Sequence, residues 1–262
     1  MSSICKKRKN KGISSKDSMW IYGKHAVKAV LFNQKREILR FVLLESSKNF
    51  IEDVSFAIKT RKISYEIVDS DFFFSLFGKN AIHQGCAILV KKLKEQFLEE
   101  LIIDKNDDRP FIFLDQVIDP QNIGSIMRAA AVFGARAVVM TEDHSPEITA
   151  TVAKTASGAL ENIPLIKVVN LTQSLNLLKK NGFWVVGLDE RSEKNLADID
   201  LSGKFVFIIG SEGFGMRRLT KESCDFLAKL PGVSSFTTLN AAQAATISLY
   251  ESCKQRKKGI EK

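Results

Sequence analysis

Five short apolar runs recur across the second half of this chain: FIFLD at 111–115, AVVMT at 137–141, LIKVV at 165–169, FWVVGL at 183–188 and FVFIIG at 205–210. Each is strand-sized and apolar almost throughout, the pattern of a strand covered on both faces. Helix-like stretches at about 124–133, 148–160 and 174–180 lie between them, and a longer one runs from about 241 to 256. Strand, helix, strand, helix implies a parallel sheet with helices on both sides, an α/β fold. Ligands of such sheets gather beyond the strand C-termini.

Polar clusters stand where those ends should be. They are DPQNIGSIMRAAAVFGA at 119–135, GSEGFG at 210–215 and LPGVSSFTTLNAAQAA at 230–245. Together they place Asn122, Arg128, Glu212 and Asn240 where folding alone gives little reason to want them. Each residue also has a plain reading. Arg128, among alanines on a helix, can snorkel and pair with an Asp, or its planar fork can hold phosphate and developing negative charge. Glu212 can cap a helix beginning near Gly215, or organise a neighbouring Arg or Asn. A Thr or Asn before a helix, as in Thr238-Leu239-Asn240, is normally an N-cap. Pro120 fixes one backbone dihedral, and Gly124 permits close approach of another segment. The glycines of GSEGFG lack the GK[ST] ending of a phosphate loop and the spacing of a dinucleotide fingerprint.

The first part of the chain alternates as well. A helix-like stretch at 25–32, a strand at 40–45, a helical pattern over 50–61, YEIV at 65–68 and CAILV at 86–90 predict a small three-layer α/β domain. The expected organisation is a flexible basic arm at 1–18, this small α/β domain at 19–93, a linker at 94–109 and a second domain at 110–262.

Charge narrows the partner. The 262 residues carry a net charge of +9, which makes a polyanion the first candidate. Lys6, Lys7, Arg8, Lys9 and Lys11 form one block, and Lys254, Arg256, Lys257 and Lys258 another. Such blocks hold a phosphate backbone without reading sequence, or serve solubility alone. Lys24, Lys28, Arg40, Arg61 and Lys62 are further candidate phosphate contacts, or ordinary solvated cations. Cys5, Cys86, Cys224 and Cys253 have no disulfide or metal spacing and fit reduced cytosolic thiols. His25, His83 and His144 make no zinc set, so no metal is expected. No apolar run reaches the length of a membrane span or of a signal segment, so no membrane partner and a cytoplasmic location are expected.

The segments LDQVIDPQNIGSIMRAAAVFGA, IIGSEGFGM and LPGVSSFTTLNAAQAA resemble, in order and spacing, the three motifs of the SpoU/TrmH family of RNA ribose 2′-O-methyltransferases, within the SPOUT superfamily. IYGKHAVKAVL and IHQGCAILV resemble the ribosomal-protein-like substrate-binding domain that precedes the catalytic domain in many members, including those acting on a guanosine of large-subunit ribosomal RNA. The resemblance spans roughly 20–262. It implies a catalytic domain with a deep C-terminal trefoil knot, the exception to the rule against knots, and a homodimer with the C-terminal helix in its interface. It implies S-adenosylmethionine held largely by backbone near Gly187, Leu188, Ile209, Gly210, Leu230, Gly232 and Leu239. Arg128 would stand closest to the chemistry, Asn122 and Glu212 would position it and the RNA, and Asn240 and Thr238 would support the cluster. Thr238 stands where the family usually offers Ser, LPG replaces IPM, and Ser234 replaces an expected glycine. The expected activity is methyl transfer to a ribose 2′-hydroxyl of structured RNA, a guanosine of large-subunit ribosomal RNA; transfer-RNA ribose methylation is the alternative substrate, and a catalytically inactive RNA-binding assembly factor is the competing class.

Overall fold

The computed structural model describes residues 17–143, 149–233 and 239–260. The N-terminal domain consists of β1 (Ser18–Tyr22), α1 (Lys24–Phe32), β2 (Ile38–Leu44), α2 (Phe50–Arg61), β3 (Glu66–Val68), α3 (Ser70–Phe77) and β4 (Cys86–Lys91). Its sheet runs β1-β4-β2-β3, antiparallel except between β2 and β3. Residues of α1 and α2 pack on one face, with Phe41, Leu43 and Ile88. Phe73 of α3 covers the other, against Tyr22, Val42 and Ala87. These are the three layers the alternation of elements predicts.

After α4 (Leu98–Leu101) the chain enters the second domain. Its elements are β5 (Phe111–Asp115), α5 (Pro120–Phe133), β6 (Ala137–Thr141), α6 (Ala150–Thr155), β7 (Leu165–Val168), α7 (Leu171–Lys180), β8 (Trp184–Leu188), β9 (Phe205–Gly210), α8 (Arg218–Glu222), β10 (Phe226–Ala228) and α9 (Ala241–Ile260). The sheet is parallel throughout, in the order β10-β8-β9-β5-β6-β7. Successive residues of a strand point to opposite faces, and here each face has its own core. Ile112, Leu114, Val138, Met140, Phe207 and Ile209 face one layer, in which α5 and α9 lie. Phe111, Phe113, Val139, Val206 and Ile208 face the other, with Leu171, Leu175 and Leu178 of α7.

Helix α5 begins earlier than its apolar pattern implies. Asp119 is the N-cap, its side chain accepting from the Gln121 amide, and Pro120 takes the first helical position, where a missing N–H costs nothing. Asn122 therefore sits in the first helical turn rather than in a loop. Sequence reading also passed over α8 and β10, both too short to carry a period. A Cβ on Gly124 would lie 2.5 Å from Thr155 Cβ, so α5 and α6 meet at a distance only glycine allows.

The two domains share one continuous core. Ile21, Ala26 and Val30 belong to the same buried cluster as Ala153, Ala156 and Leu160. A Cβ on Gly158 would fall 2.3 Å from the Ala29 methyl. Asn33 donates to Glu161 at 2.7 Å, and Arg36 pairs with the same carboxylate. Residues 104–109 are fastened as well: Arg136 donates to the Asp107 and Asp104 carbonyls and pairs with Asp107. Arg256 reaches the Asp108 and Gly203 carbonyls from α9, so part of the C-terminal basic block is built into the fold rather than forming a tail.

Candidate active site

Asp115, Gly187, Leu188, Ile209 and Gly210 lie at the C-terminal ends of β5, β8 and β9. Asp115 ends β5 beside Gly210, which ends β9. The Asp115 carboxylate is fully buried; one oxygen accepts from Arg217 Nε at 2.6 Å and the other from the Arg217 amide at 2.8 Å. That pair fixes the chain just after the glycine-rich turn. Arg217 was not singled out from sequence; the Arg217-Arg218 doublet directly after GSEGFGM was the available signal.

Within the turn, Ser211 and Gly215 exchange two backbone hydrogen bonds at 3.1 and 2.9 Å. Gly213 and Gly215 take φ of +85° and +70°, values few side chains tolerate. At Gly210 a Cβ would meet the Gly215 carbonyl carbon at 2.3 Å, so the returning chain lies against the strand end. Glu212 is exposed and caps no helix, since α8 has Arg217 at its N-cap position. Its Oε1 instead accepts from Asn122 Nδ2 at 2.8 Å. One bond thus joins the first and second polar clusters.

Arg128 does not join them. Six residues along α5 is about 9 Å of rise and a change of face, so Asn122 is buried while Arg128 is exposed. Arg128 lines a cleft of about 320 Å³ between the domains, with His25 and Ala29 of α1, Ser157 and Asn162. Its guanidinium has no hydrogen bond or ion pair among the described residues. The snorkelling Arg–Asp reading therefore fails, and the fork faces open space.

Asn240 is the N-cap of α9. Its Oδ1 accepts from the Gln243 amide at 2.8 Å while Gln243 Oε1 accepts from the Asn240 amide at 3.1 Å, a reciprocal capping box. Thr238 and Ser234 lie outside the described residues. Gly187 and Leu188 end β8, with Leu188 beside Ala228 of β10. A Cβ on Gly187 would strike Cys224 Sγ at 2.6 Å and Met216 at 2.7 Å. Leu188 and Leu230 are half-buried at the edge of the core, Leu239 is exposed, and Gly232 has open space around it. Leu188 and Leu230 thus leave apolar surface near the ends of β8 and β10.

The candidate RNA contacts divide. Lys28 is exposed, and Lys24 lies over the Phe50 ring. Lys62 is the left-handed C-cap of α2. Arg40 is committed to Glu66 at 2.7 Å and to the Phe72 ring. Arg61 donates to the Val30 and Leu31 carbonyls at 3.0 and 2.9 Å, closing the end of α1, and burial pushes its guanidinium below its ordinary value. Its donors serve the fold. His83 stacks on Phe73 and accepts from the Gly85 amide, a structural loop, with burial holding its imidazole below the usual range. Among the described residues, no group of three or more His, Cys, Asp or Glu could hold a metal, and no helix is long and apolar enough to cross a membrane.

Two family models match the chain, SpoU rRNA Methylase over residues 109–250 and RNA 2′-O ribose methyltransferase substrate binding over 20–96. The chain belongs to the SpoU rRNA methylase family. It is 38% identical over 242 residues to the 23S rRNA (guanosine-2′-O-)-methyltransferase RlmB of Pseudomonas putida, covering 90% of this chain and 96% of that one. The Escherichia coli protein of the same name is 33% identical over 244 residues, covering 91% and 99%. The fold matches the SpoU methyltransferase AviRb of Streptomyces viridochromogenes in complex with AdoMet at a TM-score of 0.78, with 20% identity, 93% of this chain and 92% of that one. Both domains and their order are thus features of the family, as the resemblance implied.

Proposed function

We propose that this protein transfers a methyl group from S-adenosylmethionine to the ribose 2′-hydroxyl of a guanosine in large-subunit ribosomal RNA. The observation that carries the reading is the Asn122–Glu212 bond at the strand ends, within a chain aligned over nearly its whole length with methyltransferases of that specificity. Half-buried Leu188 and Leu230, the strand ends at Gly187, Ile209 and Gly210, the open backbone at Gly232 and exposed Leu239 are the residues that would hold the adenine ring and its polar groups. When bound there, S-adenosylmethionine supplies an electrophilic methyl on a sulfonium.

A ribose hydroxyl is a weak nucleophile, so the protein must align it and stabilise the charge that grows as its proton leaves. Asn122 occupies Glu212 Oε1, leaving Oε2 as an acceptor for the 2′-hydroxyl hydrogen. The Arg128 fork, without a partner among the described residues, suits the target's backbone phosphate or ribose oxygens at the interdomain cleft it lines. Asn240 holds the start of α9. As the 2′-oxygen takes the methyl, Glu212 Oε2 takes the hydroxyl proton and passes it on to solvent.

The knot belongs to the same proposal. After β10, Lys229 pairs with the connection between β8 and β9: its amide donates to the Lys194 carbonyl and its carbonyl accepts from the Leu196 amide, both at 2.9 Å. Helix α9 then packs back against α5, β9 and residues 196–198. A chain passing beneath that connection is threaded. Exposed Ile247 and Tyr250 on α9 support a homodimer through that helix, and we place the protein in the cytoplasm.

The test is transfer of radiolabelled methyl groups to undermodified RNA, with ribosomal and transfer RNA separated and Arg128→Ala alongside. Label at a ribose 2′-oxygen of large-subunit RNA, lost in the variant, is the expected result. Label confined to transfer RNA overturns the substrate, and no label despite cofactor binding overturns the enzyme.

A further inference from the structure

Phe214 is 94% exposed at the tip of the turn between β9 and α8. The turn is not slack. Its two Ser211–Gly215 hydrogen bonds close the base, and Glu212 is tied to Asn122. Gly213 and Gly215 turn the backbone outward on either side, and no heavy atom lies within 4 Å of where either would carry a Cβ. The ring is therefore held clear of the fold, two residues from the carboxylate assigned to the chemistry. On the other side stand Arg217 and Arg218, with side chains 44% and 77% exposed, Arg218 paired with Glu222 at 2.6 Å. Asp115 engages Arg217 through Nε and leaves its terminal nitrogens without a partner among the described residues.

A lone ring among glycines and cations is a poor start for a protein interface, which needs a contiguous apolar area and not a single face. A nucleobase needs only that face, and its phosphates need the cations. We propose that Phe214 stacks against an RNA base adjoining the methylated nucleotide, with the free nitrogens of Arg217 on the flanking phosphate. The assignment rests on the RNA-methyltransferase reading and names the part of that site that grips the neighbouring nucleotide.

The test measures binding of an unmodified large-subunit RNA transcript to the full chain carrying Phe214→Ala or Phe214→Trp. The Ala variant is expected to weaken RNA binding about 5- to 100-fold, the loss of one stacked base, with cofactor affinity and sedimentation as in the parent. Phe214→Trp should restore binding to within about threefold. Its added emission, read against that of Trp20 and Trp184, should be quenched by the transcript. RNA affinity of the Ala variant within about twofold of the parent would overturn the proposal, given that one stacked base is worth more. A loss that follows cofactor affinity or the oligomeric state would also overturn it. Because binding is read without methyl transfer, a protein that shows the quench and transfers no methyl sinks the enzymatic reading and leaves the stacking contact standing.

Discussion

Arg36 Nε stands 3.4 Å from Glu161 Oε1 across the boundary between the two domains, with 2% and 3% of the side chains exposed. The two atoms attract without the alignment of a hydrogen bond, and neither has another partner. Burial pushes the Arg36 guanidinium below its ordinary value, and Glu161 only partly offsets this. The Glu161 segment also lines the Arg128 cleft through Gly158, Ala159 and Asn162. A buried pair is costly to break from one side, by about 3–5 kcal/mol, whereas apolar replacement of both partners is often neutral. Arg36→Met should therefore lose about 3 kcal/mol in urea unfolding, and Arg36→Met with Glu161→Gln, whose amide oxygen still accepts from Asn33 Nδ2, should recover most of it.

Gly158 makes the same boundary steric. Its φ is +92° and a Cβ would lie 2.3 Å from Ala29 Cβ. Gly158→Ala carries both a left-handed penalty of about 1–2 kcal/mol and an overpacking penalty of about 1–3 kcal/mol. Adding Ala29→Gly removes the clash and leaves the backbone cost. A double-mutant cycle should give a favourable coupling on the order of 1 kcal/mol or more; additivity would show that the two residues do not touch.

Gln116 follows Asp115 with φ of +60°, a left-handed backbone with no glycine to accommodate it. Gln116→Gly should relieve about 1–2 kcal/mol of strain. Greater freedom of the unfolded chain offsets about 0.4–1 kcal/mol of that. A net gain of about 0.5–1 kcal/mol in a denaturant titration is the expected outcome.

Cys86 and Cys224 carry thiols that burial pushes up to about 12. In the unfolded chain they ionise near their ordinary value of about 9, so between those values the unfolded state has released protons that the folded state retains. Stability is full below about pH 9 and is lost as the pH rises toward 12. Unfolding midpoints taken across the alkaline range should fall for the parent and fall less steeply for Cys86→Ala. In the native state at neutral pH both thiols should resist alkylation.

Much of the architecture was legible in the sequence because buried parallel strands announce themselves. The spans expected for β5, β6, β9 and α2 coincide with those observed. What escaped was short or long-range. β10 has three residues and gains its identity only by pairing with β8, and Pro120 reads as a loop residue until its place at the first helical position is seen. The site was legible as residue types at strand ends, but not as partners. Asn122 and Glu212 were foreseen together and do bond, whereas Arg128, expected beside them, points into the interdomain cleft because helix geometry carries it to another face. Arg61 shows the limit of reading charge: its donors are taken by the end of α1, which no local pattern reveals.

The Asn122–Glu212 bond separates the jobs of geometry and charge. Glu212→Gln keeps an oxygen that can accept from Asn122 Nδ2, so the turn should stay anchored, but it removes the anionic acceptor for the ribose hydroxyl. Its kcat should fall on the order of 10²-fold with little change in RNA KM. Asn122→Asp sets two carboxylates against each other where a 2.8 Å hydrogen bond stood. It should release the turn, lowering kcat and weakening RNA binding together. If Glu212→Gln keeps full kcat, the carboxylate acts only as a tether and the proton acceptor must be sought elsewhere.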